Sequence, residues 1–188
     1  MSVRARMFNR RASRERSMPE EVLGHLGIRP GDWIADIGSG GGYFSLRFSE
    51  AVGQDGRVFA VDTNPKLLAY IAEQVGESGR ANVETVLTSD FPSQLPRGRL
   101  DLVFMRNVYH HLEDPVAYLG RMREHLGAEG RVAVIDYIPV DSGMSFHRTF
   151  GHHVRPEEVV GHLRAAGYEL DRSFDFLPEQ CFMTFRLV

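Results

Sequence analysis

Lysine and cysteine are nearly absent from this sequence of 188 residues. Cys181 is the only cysteine, and Lys66 is the only lysine among 22 basic residues. A lone cysteine forms neither an internal disulfide nor a thiolate zinc cluster, which excludes a secreted disulfide framework. No uncharged apolar run approaches the roughly 20 residues that cross a bilayer, and no apolar signal core follows the N-terminus. We therefore expect a cytoplasmic protein without a membrane span.

Charge is distributed unevenly along the chain. Residues 1–17 contain six arginines and one glutamate, a net charge of +5; because the whole chain carries −3, the remainder carries −8. The length suits one domain, so we predict a flexible basic arm over residues 1–17 and a single domain over 18–188. The arm has several interpretations: a solvated segment partly docked on the acidic body, a phosphate-binding arm, a lid over an anionic substrate, or a transit peptide.

Strand and helix patterns alternate through most of the domain. Ser17, followed by Pro19 and Glu20, predicts the capped start of a first helix. Five short apolar runs then predict buried strands, at residues 33–38, 57–62, 82–87, 101–105 and 131–138, with helical patterns between most of them. Buried strands joined by helices favour an open, mostly parallel sheet. Residues 139–154 break the alternation and predict a lid-like loop, and the runs 168–174 and 181–188 predict a closing antiparallel hairpin.

A glycine-rich loop lies between the first predicted strand and the next helix, in the sequence Asp36-Ile-Gly-Ser-Gly-Gly-Gly-Tyr43. Glycines let the backbone approach a ligand closely, and a helix N-terminus offers unpaired N–H groups, which favours a nucleotide-like ligand. The dinucleotide fingerprint fails because Tyr43 occupies its last glycine position. A phosphate-binding Walker loop fails because it requires a lysine.

Taken together, these elements resemble the class I S-adenosylmethionine-dependent methyltransferases over residues 19–188. The resemblance is carried by the acidic residue and glycines at 36–42, by Asp62 at the end of the second predicted strand, by Asp90-Phe91 after the third, and by residues 101–112 (DLVFMRNVYHHL). It implies an α/β fold, a Rossmann-like three-layer sandwich with a mostly parallel seven-stranded sheet and a C-terminal antiparallel hairpin. It also implies S-adenosylmethionine as cofactor, with S-adenosylhomocysteine as product. The implied cofactor-binding residues are Asp36, Gly38, Ser39, Gly40, Gly42, Tyr43, Asp62, Thr63, Asp90, Phe91, Arg106 and Asn107.

The chemistry of this cofactor agrees with the acidic strand ends. S-adenosylmethionine has no phosphate; it carries an ammonium, a ribose diol, an adenine and a sulfonium cation, which suit Asp36, Asp62 and Asp90 at the carboxyl ends of parallel strands. The alternative is that these carboxylates cap the helices that follow them. Tyr43 and Phe91 have an equally simple alternative, apolar packing in the core.

The resemblance implies that the segment containing His110 and His111 faces the methyl acceptor. Methyl transfer from a sulfonium is an in-line displacement that chiefly requires alignment, and a hydroxyl or acidic-carbon acceptor also benefits from a general base. His110 and His111 are our candidates for that base, with helix anchoring as the alternative. The predicted acceptor pocket comprises Tyr109, His147, His152 and His153. A metal site built from the last three with Asp141 is disfavoured, because their spacing matches no ligand motif and no thiolate accompanies them.

The leading functional hypothesis is therefore methyl transfer to a small molecule. Arg106 to Tyr109 lack the proline-rich motif of amino-directed DNA methyltransferases, and Cys181 lies far from the position of a cytosine-C5 nucleophile. Methylation of RNA or protein, with the arginine-rich arm as a docking segment, is the second hypothesis. A non-catalytic cofactor-binding protein is the third, since a fold does not fix a function. The sequence leaves the acceptor, the methylated atom and the oligomeric state open.

Overall fold

A computed structural model describes residues 3–139 and 153–188 of the chain. Within these ranges the α-helices are α1 (Val3–Ala12), α2 (Pro19–Leu26), α3 (Tyr43–Val52), α4 (Pro65–Ser78), α5 (Pro115–Met122) and α6 (Pro156–Ala165). The strands are β1 (Trp33–Ile37), β2 (Arg57–Asp62), β3 (Val83–Leu87), β4 (Leu100–Arg106), β5 (Leu126–Tyr137), β6 (Tyr168–Phe174) and β7 (Gln180–Leu187). Short 3-10 turns lie at Glu15–Ser17 and Tyr109–His111.

The strands form one seven-stranded sheet in the order β3-β2-β1-β4-β5-β7-β6. The five strands from β3 to β5 run parallel, whereas β7 is antiparallel to both β5 and β6. The order of the strands switches sides at β1: β2 and β3 lie on one side of it, and β4 and β5 lie on the other. Such a switch point opens a crevice at the carboxyl ends of the strands. The predicted doubly covered sheet and closing hairpin are confirmed.

Helices bury both faces of the sheet. On one face α2 and α3 pack on β1, β4 and β7 through an aromatic core centred on Phe48, Phe104 and Phe182, and α4 covers β2 beside them. On the other face α5 and α6 pack through Leu119 and Leu163. These two layers explain why the central strands read as continuous apolar runs.

Strand β5 begins at Leu126, five residues earlier than the sequence predicts. Residues 127–130, which precede the predicted strand, belong to β5, and the register with β4 shifts between Leu100 and Leu102. A Cβ on Gly130 would lie 2.6 Å from the carbonyl oxygen of Leu100, so glycine is needed for the close approach of the two backbones. The glycines therefore mark a bulge rather than a loop.

The N-terminal segment contains helix α1, within the arm that we expected to be flexible. The predicted capping role of Ser17 is wrong. Met18, in the left-handed region at φ 43, occupies the N-cap position of α2 without a side-chain hydrogen bond. The Ser17 hydroxyl instead donates to the Arg11 carbonyl at 2.7 Å, which joins the linker back to α1. The mobility of the arm and the domain limits stay predictions.

Two further sequence expectations concern the lid-like loop and membrane-spanning helices. Most of the predicted lid-like loop, including His147, His152 and Asp141, lies outside the described residues. Across residues 3–139 and 153–188, no helix has both the length and the apolar character that a membrane crossing requires.

Candidate active site

The glycine-rich loop joins β1 to α3 at the switch point of the sheet. Gly38, Gly40 and Gly42 have φ values of 70°, 57° and 81°, in the left-handed region that favours glycine. A Cβ on Gly38 would lie 2.7 Å from Cγ2 of Val108, and one on Gly42 would lie 2.7 Å from Cγ1 of Ile71. Both the backbone conformation and the packing therefore require glycine, and the N-terminus of α3 lies directly behind the loop.

Asp36, near the end of β1, is buried behind this loop. The Ser45 hydroxyl of α3 donates to its Oδ2 at 2.5 Å. Burial raises the pKa of Asp36 to about 7; the Ser45 hydrogen bond opposes this rise, and the negative charge of Asp62 adds to it. The carboxyl of Asp36 is thus poised to change its charge when a cation approaches.

Asp62, at the end of β2, holds the loop from the other side. Its Oδ2 accepts from the Gly40 N–H at 2.9 Å, and its Oδ1 accepts from the Asn64 N–H at 2.9 Å. The side chain that caps α4 belongs to Asn64, which accepts from the Lys66 N–H at 3.0 Å. The capping alternative for Asp62 is therefore wrong, and Asp62 stabilises the glycine loop directly. Thr63 beside it is exposed.

Asp90 and Phe91 follow β3 and face in different directions. Asp90 is exposed, and its Oδ2 lies 3.6 Å from the Arg121 guanidinium of α5. Phe91 is buried edge-to-face against Tyr118, with ring centroids 5.1 Å apart. Tyr43, similarly, packs edge-to-face on Phe44 at 5.3 Å. Both aromatic residues are thus packed as the apolar alternative expects, and the contacts of Asp90 and Phe91 with an adenine stay predictions.

Arg106, at the end of β4, carries a half-buried charge without a carboxylate partner among the described residues. Its Nη2 donates to the Ser17 carbonyl at 2.8 Å and to Oε1 of Gln180 at 3.1 Å, and its guanidinium lies over the Phe44 ring at 5.0 Å. Burial lowers its pKa to about 10, and its Nη1 is buried without a hydrogen-bond partner in the described part of the chain. Such a guanidinium is suited to bind an anion.

Asn107 follows in a left-handed conformation, at φ 57, that is uncommon for residues other than glycine. Its Oδ1 accepts a hydrogen bond from Nε2 of Gln180 on β7. Backbone strain of this kind persists only where surrounding contacts hold it, and it is frequent at functional sites. The Arg106-Asn107 corner is thus held by the strand at the far side of β5.

His110 and Asp136 bring a potential base and a carboxylate together at this edge of the sheet. Nδ1 of His110 lies 2.8 Å and 3.0 Å from the two carboxylate oxygens of Asp136, and its backbone N–H donates to Oδ2 at 3.1 Å. The two side chains are 8% and 0% exposed. Asp136 is not among the predicted site residues; its signal in the sequence is one acidic residue within the apolar run of β5.

The other residues predicted for the acceptor site lie in different surroundings. His111 is exposed, and its ring centroid lies 4.1 Å from that of His110. Tyr109 is buried, with its hydroxyl 3.0 Å from Nδ1 of His162 on α6, and burial raises its pKa. His153 is exposed at the start of the second described range. The acceptor-pocket roles of Tyr109 and the three later histidines stay predictions.

A small cavity of about 120 Å³ adjoins this corner of the sheet. Its lining comprises Arg16, Ser17, Tyr137, Pro178, Glu179 and Gln180. Ser17 and Gln180 are the two residues to which Arg106 donates, so its half-buried guanidinium contacts two of the residues that line the cavity.

The class I methyltransferase fold is defined by the order of the strands in the sheet, together with the glycine loop and the acidic residues at the strand ends. The profile of the methyltransferase domain family matches residues 35–132, just over half of the chain, and the protein belongs to this family. A crystal structure of an S-adenosylmethionine-dependent methyltransferase from Aquifex aeolicus superposes with a TM-score of 0.80 at 26% identity, covering 90% of this chain and 89% of that one.

Curated relatives are matched over shorter lengths. A protein-L-isoaspartate O-methyltransferase from Aeropyrum pernix is 36% identical over 76 residues, which are 40% of this chain and 29% of that protein. A ubiquinone/menaquinone biosynthesis C-methyltransferase UbiE from Vibrio cholerae is 28% identical over 134 residues, 70% of this chain and 52% of that protein. The chain thus spans about half the length, or less, of these relatives.

Proposed function

We propose that the protein transfers a methyl group from S-adenosylmethionine to a small organic acceptor with an ionisable hydroxyl or an acidic carbon. Family membership and the likeness to the Aquifex enzyme support the cofactor and the reaction. The small acceptor is supported by the likeness to a quinone-pathway C-methyltransferase. The His110-Asp136 pair carries the proposal that the acceptor loses a proton.

The residues at the switch point fit this cofactor. S-adenosylmethionine supplies an activated methyl group on a sulfonium, so the protein needs to bind, orient and exclude water rather than activate the donor. We assign the ammonium to Asp36, the ribose hydroxyls to Asp62 and the carboxylate to the Nη1 of Arg106. Ser39 Oγ and Arg106 Nη1 are buried and have no hydrogen-bond partner within residues 3–139 and 153–188; they support this assignment, because buried polar atoms without a partner are rare in folded proteins.

His110 is our candidate for the general base. A carboxylate bonded to Nδ1 favours the tautomer that carries the proton on Nδ1, so the lone pair resides on Nε2. Nε2 would take the proton from the acceptor oxygen or carbon as that atom attacks the methyl carbon. The carbon–sulfur bond then breaks and its electron pair remains on sulfur, which gives S-adenosylhomocysteine and a methylated acceptor. The histidine returns its proton to solvent.

A binding measurement followed by an acceptor screen tests this function. Calorimetry with S-adenosylhomocysteine establishes the cofactor, and transfer of labelled methyl to hydroxylated aromatics, quinone precursors, amines and RNA establishes the acceptor class. For His110→Gln we expect kcat to fall by about 10²–10⁴, the usual contribution of a general base, while the cofactor Kd changes less than about twofold. His25→Gln, an exposed histidine on α2, is the matched control.

Each result of the screen decides between the hypotheses. No binding of S-adenosylhomocysteine would contradict the cofactor assignment. Binding without turnover on any acceptor would favour a non-catalytic protein. Labelled RNA, with binding that weakens steeply as salt rises, would favour the second hypothesis, in which the exposed arginines of α1 dock a polyanion.

A further inference from the structure

Helix α1 lies directly on the glycine loop. A Cβ built on Gly40 would be 3.5 Å from Cδ2 of Phe8. A Cβ on Gly41 would overlap both the Ala5 carbonyl oxygen and the Asn9 side chain. Ala5 is fully buried by this contact. The first helix of the chain therefore covers the loop that we assign to the cofactor.

The linker after α1 is attached to the opposite side of the site. The Ser17 carbonyl accepts from Arg106 at 2.8 Å, and Arg16 pairs with Glu179 at 3.1 Å at the start of β7. We call residues 3–18 the N-terminal strap. It crosses the carboxyl edge of the sheet, from the glycine loop at one end to the Arg106 corner at the other.

The strap has two chemically different faces. Ala5, Phe8 and Asn9, at helical spacing, contact the glycine loop. The arginines of α1 are exposed on the outside. Ala5 is the single buried residue of α1, so little apolar area holds the helix in place. An isolated helix of ten residues is marginal in water, which means that α1 depends on its contacts with the loop to remain helical.

The inner face also carries an unused polar group. Oδ1 of Asn9 is buried without a hydrogen-bond partner in the described part of the chain, and so is Oγ of Ser39 in the loop below. A buried acceptor that is left unpaired destabilises the folded state. Two such atoms, one on the strap and one on the glycine loop, point to a polar ligand that binds beside the contact between the two segments.

We propose that the N-terminal strap is a movable outer wall of the cofactor site, with Asn9 binding the amino-acid end of S-adenosylmethionine. The inference rests on the proposed function, because it requires the cofactor to bind at the glycine loop. Helix α1 detaches to let the cofactor enter or leave, and in the closed position it keeps water from the sulfonium. Binding and closure are linked, so the cofactor stabilises α1 by the same free energy with which α1 retains the cofactor.

Trypsin measures the closure directly, because it cleaves after arginine and the strap carries six of them. Cleavage of a helix requires local unfolding, so its rate reports the open population. We expect saturating S-adenosylhomocysteine to slow cleavage within residues 4–16 of the full-length protein at least fivefold. An unchanged cleavage rate, at a saturation verified by calorimetry, would overturn the proposal.

Substitutions on the two faces of α1 supply the second measurement. Phe8→Ala and Asn9→Leu remove inward contacts, and we expect each to raise the dissociation rate of S-adenosylhomocysteine at least fivefold with an unchanged melting temperature of the body. Val3→Ser, at a position 83% exposed, is the control and should leave the rate within twofold. If both inward-facing variants released S-adenosylhomocysteine at the wild-type rate, the proposed role of the strap would be overturned and the cofactor assignment would stand. If the wild-type protein failed to bind S-adenosylhomocysteine, the cofactor assignment itself would be contradicted.

Discussion

The two sides of the candidate site, one assigned to the cofactor and the other to the acceptor, are built in different ways. At the ends of β1 and β2, the important groups lie close together in the chain: Asp36 is bonded to Ser45 nine residues later, and Asp62 holds Gly40. At the ends of β4 and β5, the contacts join distant segments: His110 meets Asp136, and Arg106 meets Gln180. A local strand-loop-helix unit thus forms one side of the site, and the packing of the whole sheet forms the other.

This difference separates the proposed binding of the cofactor from the proposed removal of a proton. We assign binding of the cofactor to the backbone geometry of the glycine loop, which substitutions of neighbouring side chains disturb little. Proton removal from the acceptor is assigned to side chains on separate elements, where single substitutions can change specificity. The comparison can be tested by substitutions that act on one side and spare the other.

The largest expected effect concerns Asp136. In Asp136→Asn the amide oxygen still accepts one hydrogen bond, but the carboxylate that fixes the His110 tautomer is lost. We expect kcat to fall by about 10²–10⁴, with cofactor affinity unchanged within about twofold, measured by methyl transfer and calorimetry. Asp171→Asn, which alters a carboxylate bonded to Thr184 on the same sheet, should retain full turnover. Equal losses in cofactor affinity and turnover would show that the two sides are not independent.

A smaller effect is expected at Gly38. Its φ of 70° and the contact of a Cβ with Val108 both oppose a side chain. For Gly38→Ala we expect a loss of about 1–3 kcal/mol in unfolding free energy and at least tenfold weaker binding of S-adenosylhomocysteine, measured by denaturation and calorimetry.

Gly79→Ala is the matched control, since its φ is 67° and no atom lies within 4 Å of a Cβ there. It should lose stability through backbone strain alone and keep full affinity. Similar affinities in the two variants would contradict the assignment of the cofactor to the glycine loop.

The most gradual effect is a dependence of stability on pH. Burial raises the pKa of Asp36 from 3.8 to about 7, so between these values the folded state holds a proton that the unfolded state has lost. The stability that this group contributes is therefore fully present below pH 3.8 and is lost as pH rises to about 7, with a slope of at most ~1.4 kcal/mol per pH unit.

Asp36→Asn removes this titration, and its unfolding free energy should lack that fall between pH 4 and 7 when urea denaturation is repeated across the range. The wild-type protein serves as the reference, and identical pH profiles would contradict the raised pKa. Saturation with the cofactor should also flatten the wild-type profile, because an ammonium beside Asp36 favours its charged form.

Much of the fold could be predicted because its signals are periodic and local. Apolar strands at regular intervals, separated by helical patterns, indicated the sheet and its closing hairpin, and β2 and β6 begin and end as expected. The glycines that form the bulge in β5 could not be assigned to the strand from the sequence, since a short glycine segment has the same composition in a loop and in a bulge. The Ser17 hydroxyl was assigned to a cap because its true partner, the Arg11 carbonyl, belongs to a helix that the sequence pattern did not indicate.

The class of the protein, and the glycine loop to which we assign the cofactor, could be predicted from the local order of residues along the chain. An acidic residue, three glycines with left-handed φ and a second acidic strand end lie within one strand-helix-strand unit, so their order along the chain already fixes their neighbourhood. The folded chain was needed to see that Asp136 accompanies His110, that Arg106 lies beside Gln180, and that α1 covers the glycine loop. Those contacts depend on which strands are neighbours and which side chains share a face, and these are properties of the folded sheet rather than of any local segment.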